Sequence, residues 1–102
     1  MIVLGDLAHA RAGDKGDTSI IMVAPYAPED FGRVAALLTP PAVASHLGVG
    51  ADAVDVRAVV ELGAFTVIVR GALDGGVTRS RGVDPHGKTL SSVLLRLAGA
   101  KP

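Results

Sequence analysis

Apolar and polar positions change period several times along the chain, and each change marks an element. Met1 to about Ala10 reads as a strand, with Ile2, Leu4 and Ala8 on one face. Gly13 to Asp17 reads as a turn or loop. "TSIIMVA", Thr18 to Ala24, is a short run rich in β-branched residues, the pattern of a strand buried on both faces, and Pro25 and Pro28 end it. A helix is predicted from about Pro28 to Leu38, started by proline with Glu29 and Asp30 in the first turn. Its inward stripe is Phe31, Val34, Ala35 and Leu38. "TPP" at Thr39 to Pro41 stops it. Thr39 as N-cap, with Pro40 behind it, starts a second short helix that Gly48 ends.

The period then falls back to two. In Ala53 to Glu61, Val54, Val56, Ala58 and Val60 face one way and Asp55, Arg57 and Glu61 the other, as in a half-exposed strand. Ala64 to Leu73 is another apolar strand, "DGG" at Asp74 to Gly76 a turn, and Val77 to Val83 a short extra strand. Leu90, Val93, Leu94 and Leu97 carry the spacing of an amphipathic helix that ends near Gly99. The order strand-strand-helix-strand-strand-helix predicts one α+β domain over residues 1–102: a two-layer sandwich with helices on one face of a mainly antiparallel sheet. It is a circular permutation of the ferredoxin-like arrangement. The strands at 18–24 and 64–73 should be central and that at 53–61 an edge. In that order the 11–17 and 74–82 loops are expected to leave opposite ends of the sheet. Ile21 and Val23 point opposite to Ile20 and Met22, so both faces of that strand are apolar, and a dimer or partner subunit should cover the face the helices leave bare.

Composition narrows the function. The 102 residues suit one domain, and 49% hydrophobic with 20% charged is more apolar than one small core needs. Ten basic and ten acidic residues cancel, so the basic footprint of a nucleic-acid binder is absent, and 3% aromatic residues leave few stacking platforms. Without cysteine there is no disulfide framework or thiol chemistry. The N-terminus lacks a basic region and Asp6 breaks its apolar run, so no signal peptide is read. No run spans a bilayer, and the expected location is cytoplasmic.

Three segments carry candidate chemistry. "GVDPHGKT", Gly82 to Thr89, matches the phosphate-loop pattern letter for letter. That loop needs a parallel α/β sheet around it, yet no strand follows to carry a magnesium-binding aspartate, and Pro85 removes an N–H. A turn leading into a helix is the plainer reading, although Lys88 at that helix start could hold an anion. In "HARAGDKGDT", His9 and Arg11 precede Asp14, Lys15 and Asp17. Such a loop suits a polar ligand or general acid–base work, and a solvated hairpin turn accounts for the same residues. In "DGGVTRSRG", Asp74 to Gly82, Arg79 and Arg81 could clamp a carboxylate or phosphate, or simply point outward from a glycine-rich hairpin. His9, His46 and His86 show no ligand spacing, so no metal is expected, and no cofactor fingerprint is present.

Taken together, "LAHARAGDKGDTS", "GALDGGVTRS" and "GKTL" resemble, in order and approximate spacing, the AtuA-like ferredoxin-fold domain. In that family the domain is often the C-terminal part of a larger protein associated with acyclic terpene utilisation and neighbouring acyl-CoA catabolism, and separate short chains occur. The resemblance supports the fold. It also implies a functional or interface role for Gly13 to Asp17 and for Gly75 to Ser80. The expectation is a small accessory domain that assembles with itself or with a separate large AtuA-like subunit and contributes an anionic, CoA-linked or carboxylate site at the contact. Arg11, Lys15, Thr18, Arg79, Arg81 and Lys88 are the candidate ligand residues, and His9, Asp14 and Asp17 the candidate catalytic ones. The rivals are a stand-alone hydratase, lyase or isomerase of branched acyl compounds, with His9 or Asp14 carrying the proton, and a purely structural oligomerisation domain.

Overall fold

A computed structural model describes residues 2–71 and 88–98. A one-turn helix, α1 (Leu4–Leu7), leads into β1 (Ala8–Lys15), which turns directly into β2 (Thr18–Pro25). A 3-10 turn (Pro28–Asp30) precedes α2 (Phe31–Leu37), and α3 (Pro40–Leu47) follows. Then come β3 (Val54–Val59), a 3-10 turn (Val60–Leu62), β4 (Ala64–Val69) and α4 (Lys88–Leu94). The four strands form one sheet in the order β1-β2-β4-β3, and every neighbouring pair is antiparallel. That order is what the ferredoxin-like sheet gives when the chain starts at its second strand. The strands expected to be central, β2 and β4, are central, and β3 is an edge.

The helices cover one face. Beneath them Ile21, Val23, Phe65, Val67 and Val69 from the sheet meet Val34, Leu38, Val43, Leu47, Leu90, Leu94 and Leu97, all buried. Phe31 stacks on Phe65 with ring centroids 4.5 Å apart, fixing α2 over β4. At α3, the Thr39 side chain accepts a hydrogen bond from the Ala42 N–H at 3.4 Å, proline fills the first helical position, and Gly48 closes the helix in the left-handed region. His46 on α3 donates from Nε2 to the Val93 carbonyl at 2.7 Å, tying α3 to α4.

Several expectations need correction. Residues 4–7 are a helical turn, not strand, because its N–H groups find distant partners: Leu4 donates to the Leu97 carbonyl and Gly5 to that of Leu95. Asp6 returns a carboxylate to the Val3 N–H. Gly5 permits this approach, since a Cβ there would stand 3.2 Å from the Leu95 oxygen. Gly13 to Lys15 are strand, not loop, because each pairs across β2, leaving Gly16 and Asp17 alone as the turn. Ala35 is exposed, and Leu37 joins Phe31 at the edge of the core. β3 ends at Val59, so Val60 leaves the strand and is 73% exposed, and Ala58 is exposed as well. β4 ends at Val69 and α4 at Leu94, although Leu97 beyond the helix is still buried. The extra strand expected at 77–83 lies outside the described residues.

Two consequences bear on function. Ser19 pairs with Val69 in register, so the start of β2 lies beside the end of β4. The chain therefore leaves β4 at the same end of the sheet as the β1–β2 turn, and not at the opposite end as the sequence order suggested. The second consequence is that no described element covers the far face of the sheet. No helix among the described residues is long and apolar enough to cross a membrane.

Candidate functional site

Strand alternation divides the charged run at the N-terminus. On β1, Ala8, Ala10 and Ala12 pair with Pro25, Val23 and Ile21, and Ala10 and Ala12 pack at the margin of the core. His9, Arg11 and Gly13 occupy the alternate positions, on the open face. The backbone of Asp14 pairs with Ser19, that of Lys15 with Thr18, and Asp17 is in the turn. His9 and Lys15, six residues apart on one strand, are separated by about 20 Å. The candidate proton carriers His9, Asp14 and Asp17 are thus spread along and across the sheet rather than gathered around one reacting atom. His9 instead rests against Tyr26, with ring centroids 5.4 Å apart.

The turn itself is tight. Gly16 has φ +64° and no non-glycine residue among those described has positive φ, so only the first central position is left-handed, as in a type II′ hairpin. Thr18, partly buried, donates its hydroxyl to the Asp17 carboxylate at 3.5 Å. Next to the turn, at the end of β4, the Arg70 N–H donates to the Ala53 carbonyl at 2.8 Å. Its guanidinium meets Asp55 at 2.7 Å and the Asp52 carbonyl. Arg70 thereby clamps the start of β3 to the end of β4 and uses up the charge of Asp55. Arg79 and Arg81 lie outside the described residues. Lys88 is the first described residue of α4.

The open face has a definite pattern that the sequence reading missed. One cross-strand row runs Arg11, Met22, Thr66, Arg57 over β1, β2, β4 and β3. The adjacent row runs Gly13, Ile20, Ile68, Asp55. Met22 is 38% exposed, Ile20 and Ile68 are part-exposed, and the Thr66 hydroxyl donates to the Met22 sulfur at 3.2 Å. The centre of the face is thus mainly apolar, and each edge carries an arginine, Arg11 on β1 and Arg57 on β3 beside the Asp55 that Arg70 holds. Among the described residues no carboxylate pairs with Arg11 or Arg57, and no group of three His, Asp or Glu side chains could hold a metal ion. Arg57 was read as part of a solvated strand face. The signal that could have found it was the period of two, which puts it level with Arg11 once β3 and β1 are recognised as the two edges.

No curated protein and no solved structure matches significantly. The AtuA ferredoxin-like domain family matches residues 2–99, nearly the whole chain and all three motif blocks. The chain belongs to the AtuA ferredoxin-like domain family.

Proposed function

We propose that this chain is an accessory assembly domain that docks by the open face of its sheet on a separate subunit, a large AtuA-like protein, and that the contact holds a small anionic ligand of the carboxylate or acyl-CoA class. The observation that carries the reading is the face that no described element covers, apolar across Ile20, Met22 and Ile68 and edged by Arg11 and Arg57 without described carboxylate partners. A domain of this size gains nothing in stability from such a face in water, and a buried contact is the physical use for it. Thr18 lies on that face beside the turn and pairs in register with Lys15, Arg11 stands further along β1, and the chain leaves β4 towards "DGGVTRSR", with Arg79 and Arg81, from the same end of the sheet. Cations in these positions favour a carboxylate or phosphate over a neutral ligand. Branched acyl compounds are the ligand class that the family's association suggests.

The test has two arms. Purified from its native cells, the chain is expected in a complex of defined mass with a second protein. A monomer at high concentration with no bound partner overturns the assembly reading. Thermal unfolding against branched acyl-CoAs, free acids and phosphate reads the ligand. Saturation at a hundred times the dissociation constant adds about 2.7 kcal/mol, a shift of roughly 10 °C or more for a domain of this length. A shift abolished by Lys15→Ala supports the ligand site. The absence of any shift, both alone and in the complex, overturns it.

A further inference from the structure

We infer that the open face receives an amphipathic helix with acidic residues along both flanks, contributed by a different protein. The inference rests on the assembly reading above and names what the partner presents. The argument starts from width. Arg11 and Arg57 end one row that crosses four strands, so their backbones lie three strand spacings apart, about 14 Å. A helix with its side chains is about 10–12 Å across and fills that interval. A single extended strand or an acyl chain is much narrower and cannot meet both rails at once.

The floor fits the same occupant. Ile20 pairs with Ile68 and Met22 with Thr66 along the middle of the sheet, a strip running with the strands. A helix laid along it presents residues at i, i+3, i+4 and i+7 to the strip, and its next positions outward face the rails. Gly13 leaves the β1 side low, since an added Cβ there would meet nothing within 4 Å.

Charge then selects the partner. Asp55, which lies on this face at the β3 edge, is already held by Arg70. Carboxylates on the occupant would give Arg11 and Arg57 the partners that the described part of this chain does not. A second copy of the chain fits poorly. A two-fold axis along the strands sets Arg11 of one copy over Arg57 of the other. A two-fold across the strands through this row sets each arginine over its own mate. Both arrangements oppose like charges, and an axis between the two rows brings Arg57 only to an Asp55 that Arg70 already holds and sets Arg11 over Gly13. The described helices are no better candidates, because the apolar sides of α2, α3 and α4 are already taken up by the core.

The experiment uses synthetic helices of about 18 residues, long enough to follow the eight-residue β2. One has a Leu/Ile stripe with Glu on both flanks, the second has Lys on both flanks, and the third is a scramble of the first. Binding is read by fluorescence anisotropy and by amide and methyl shifts. The Glu-flanked helix is expected to bind and to perturb Ile20, Met22, Thr66 and Ile68. Arg11→Glu with Arg57→Glu should weaken it by about tenfold or more and should make the Lys-flanked helix the better ligand. Both side chains are exposed, so the variant should fold, which circular dichroism checks. Equal binding of the Glu- and Lys-flanked helices, shifts confined to α2–α4, or no binding at all overturns the inference. If the chain is nonetheless purified in a complex, the assembly reading stands without it. If the same face shifts on self-association, the partner is a second copy and this inference is wrong.

Discussion

Ser19 is the one buried polar residue among those described, and its hydroxyl has no hydrogen-bond partner there. It stands on the core side of β2 between the positions of Asp14 and Val69. A buried hydroxyl stripped of water and left unpaired costs about 1–3 kcal/mol. Ser19→Ala removes that penalty at little loss of volume and is expected to stabilise the fold by about 1 kcal/mol, read as a higher midpoint in urea at unchanged slope. A lower midpoint would mean that the hydroxyl has a partner. Gly16 makes the opposite case. Its φ of +64° lies where a Cβ is strained, so Gly16→Ala should cost about 1–2 kcal/mol. By thermal unfolding that is a fall of several degrees, about 4–8 °C per kcal/mol in a chain of this size. Composition showed that a turn was near here, because glycine and aspartate cluster at 13–17. It could not show which residues turn. That is decided by the pairing of Gly13, Asp14 and Lys15 with Ile20, Ser19 and Thr18 across β2.

At the scale of elements, what was legible is what local chemistry determines. The start and end of α3 follow from Thr39, Pro40 and Gly48, each acting within four residues of itself. The cap is testable: Thr39→Ala frees the Ala42 N–H and should cost about 1 kcal/mol. Thr39→Ser should keep most of it, and the difference between the two unfolding curves isolates the hydrogen bond. What was not legible depends on contacts distant in sequence. An apolar run such as "IVLGDLA" has too few residues to tell a strand from a helical turn by period. The choice falls to the Leu95 and Leu97 carbonyls, some ninety positions on, which take the N–H groups of Gly5 and Leu4. The end of β3 is similar. Val60 continues the alternation on paper, but the 3-10 turn that carries the chain into β4 takes it out of the sheet. In the candidate site, the chemistry-bearing residues could be named from the sequence. Their separation could not, because a loop would have gathered His9, Arg11, Asp14 and Lys15, whereas an extended strand spaces them out along its length.

At the scale of the molecule, the two sides of β2 make opposite predictions, and the contrast tests what the bare face is for. Met22 and Ile21 are adjacent in sequence, one 38% exposed on the open face and the other fully buried under the helices. Ile21→Glu puts a carboxylate in the core with no partner and should unfold the domain, since burying an unpaired charge costs several kcal/mol. Met22→Glu leaves the carboxylate in reach of water and across from Arg11 in register, so the unfolding free energy should stay within about 0.5 kcal/mol of the parent. Its effect should fall on assembly: a negative charge between Arg11 and Arg57 cancels the rails and repels an acidic partner, and sedimentation should show the free domain where the parent sediments as a complex. If Met22→Glu destabilises the isolated chain as Ile21→Glu does, the open face is part of this domain's own core, covered by residues of this chain, and nothing docks there. If it leaves both stability and assembly unchanged, the partner binds elsewhere. Only the separation of the two effects, fold kept and complex lost, fits a sheet that is built to be finished by another protein.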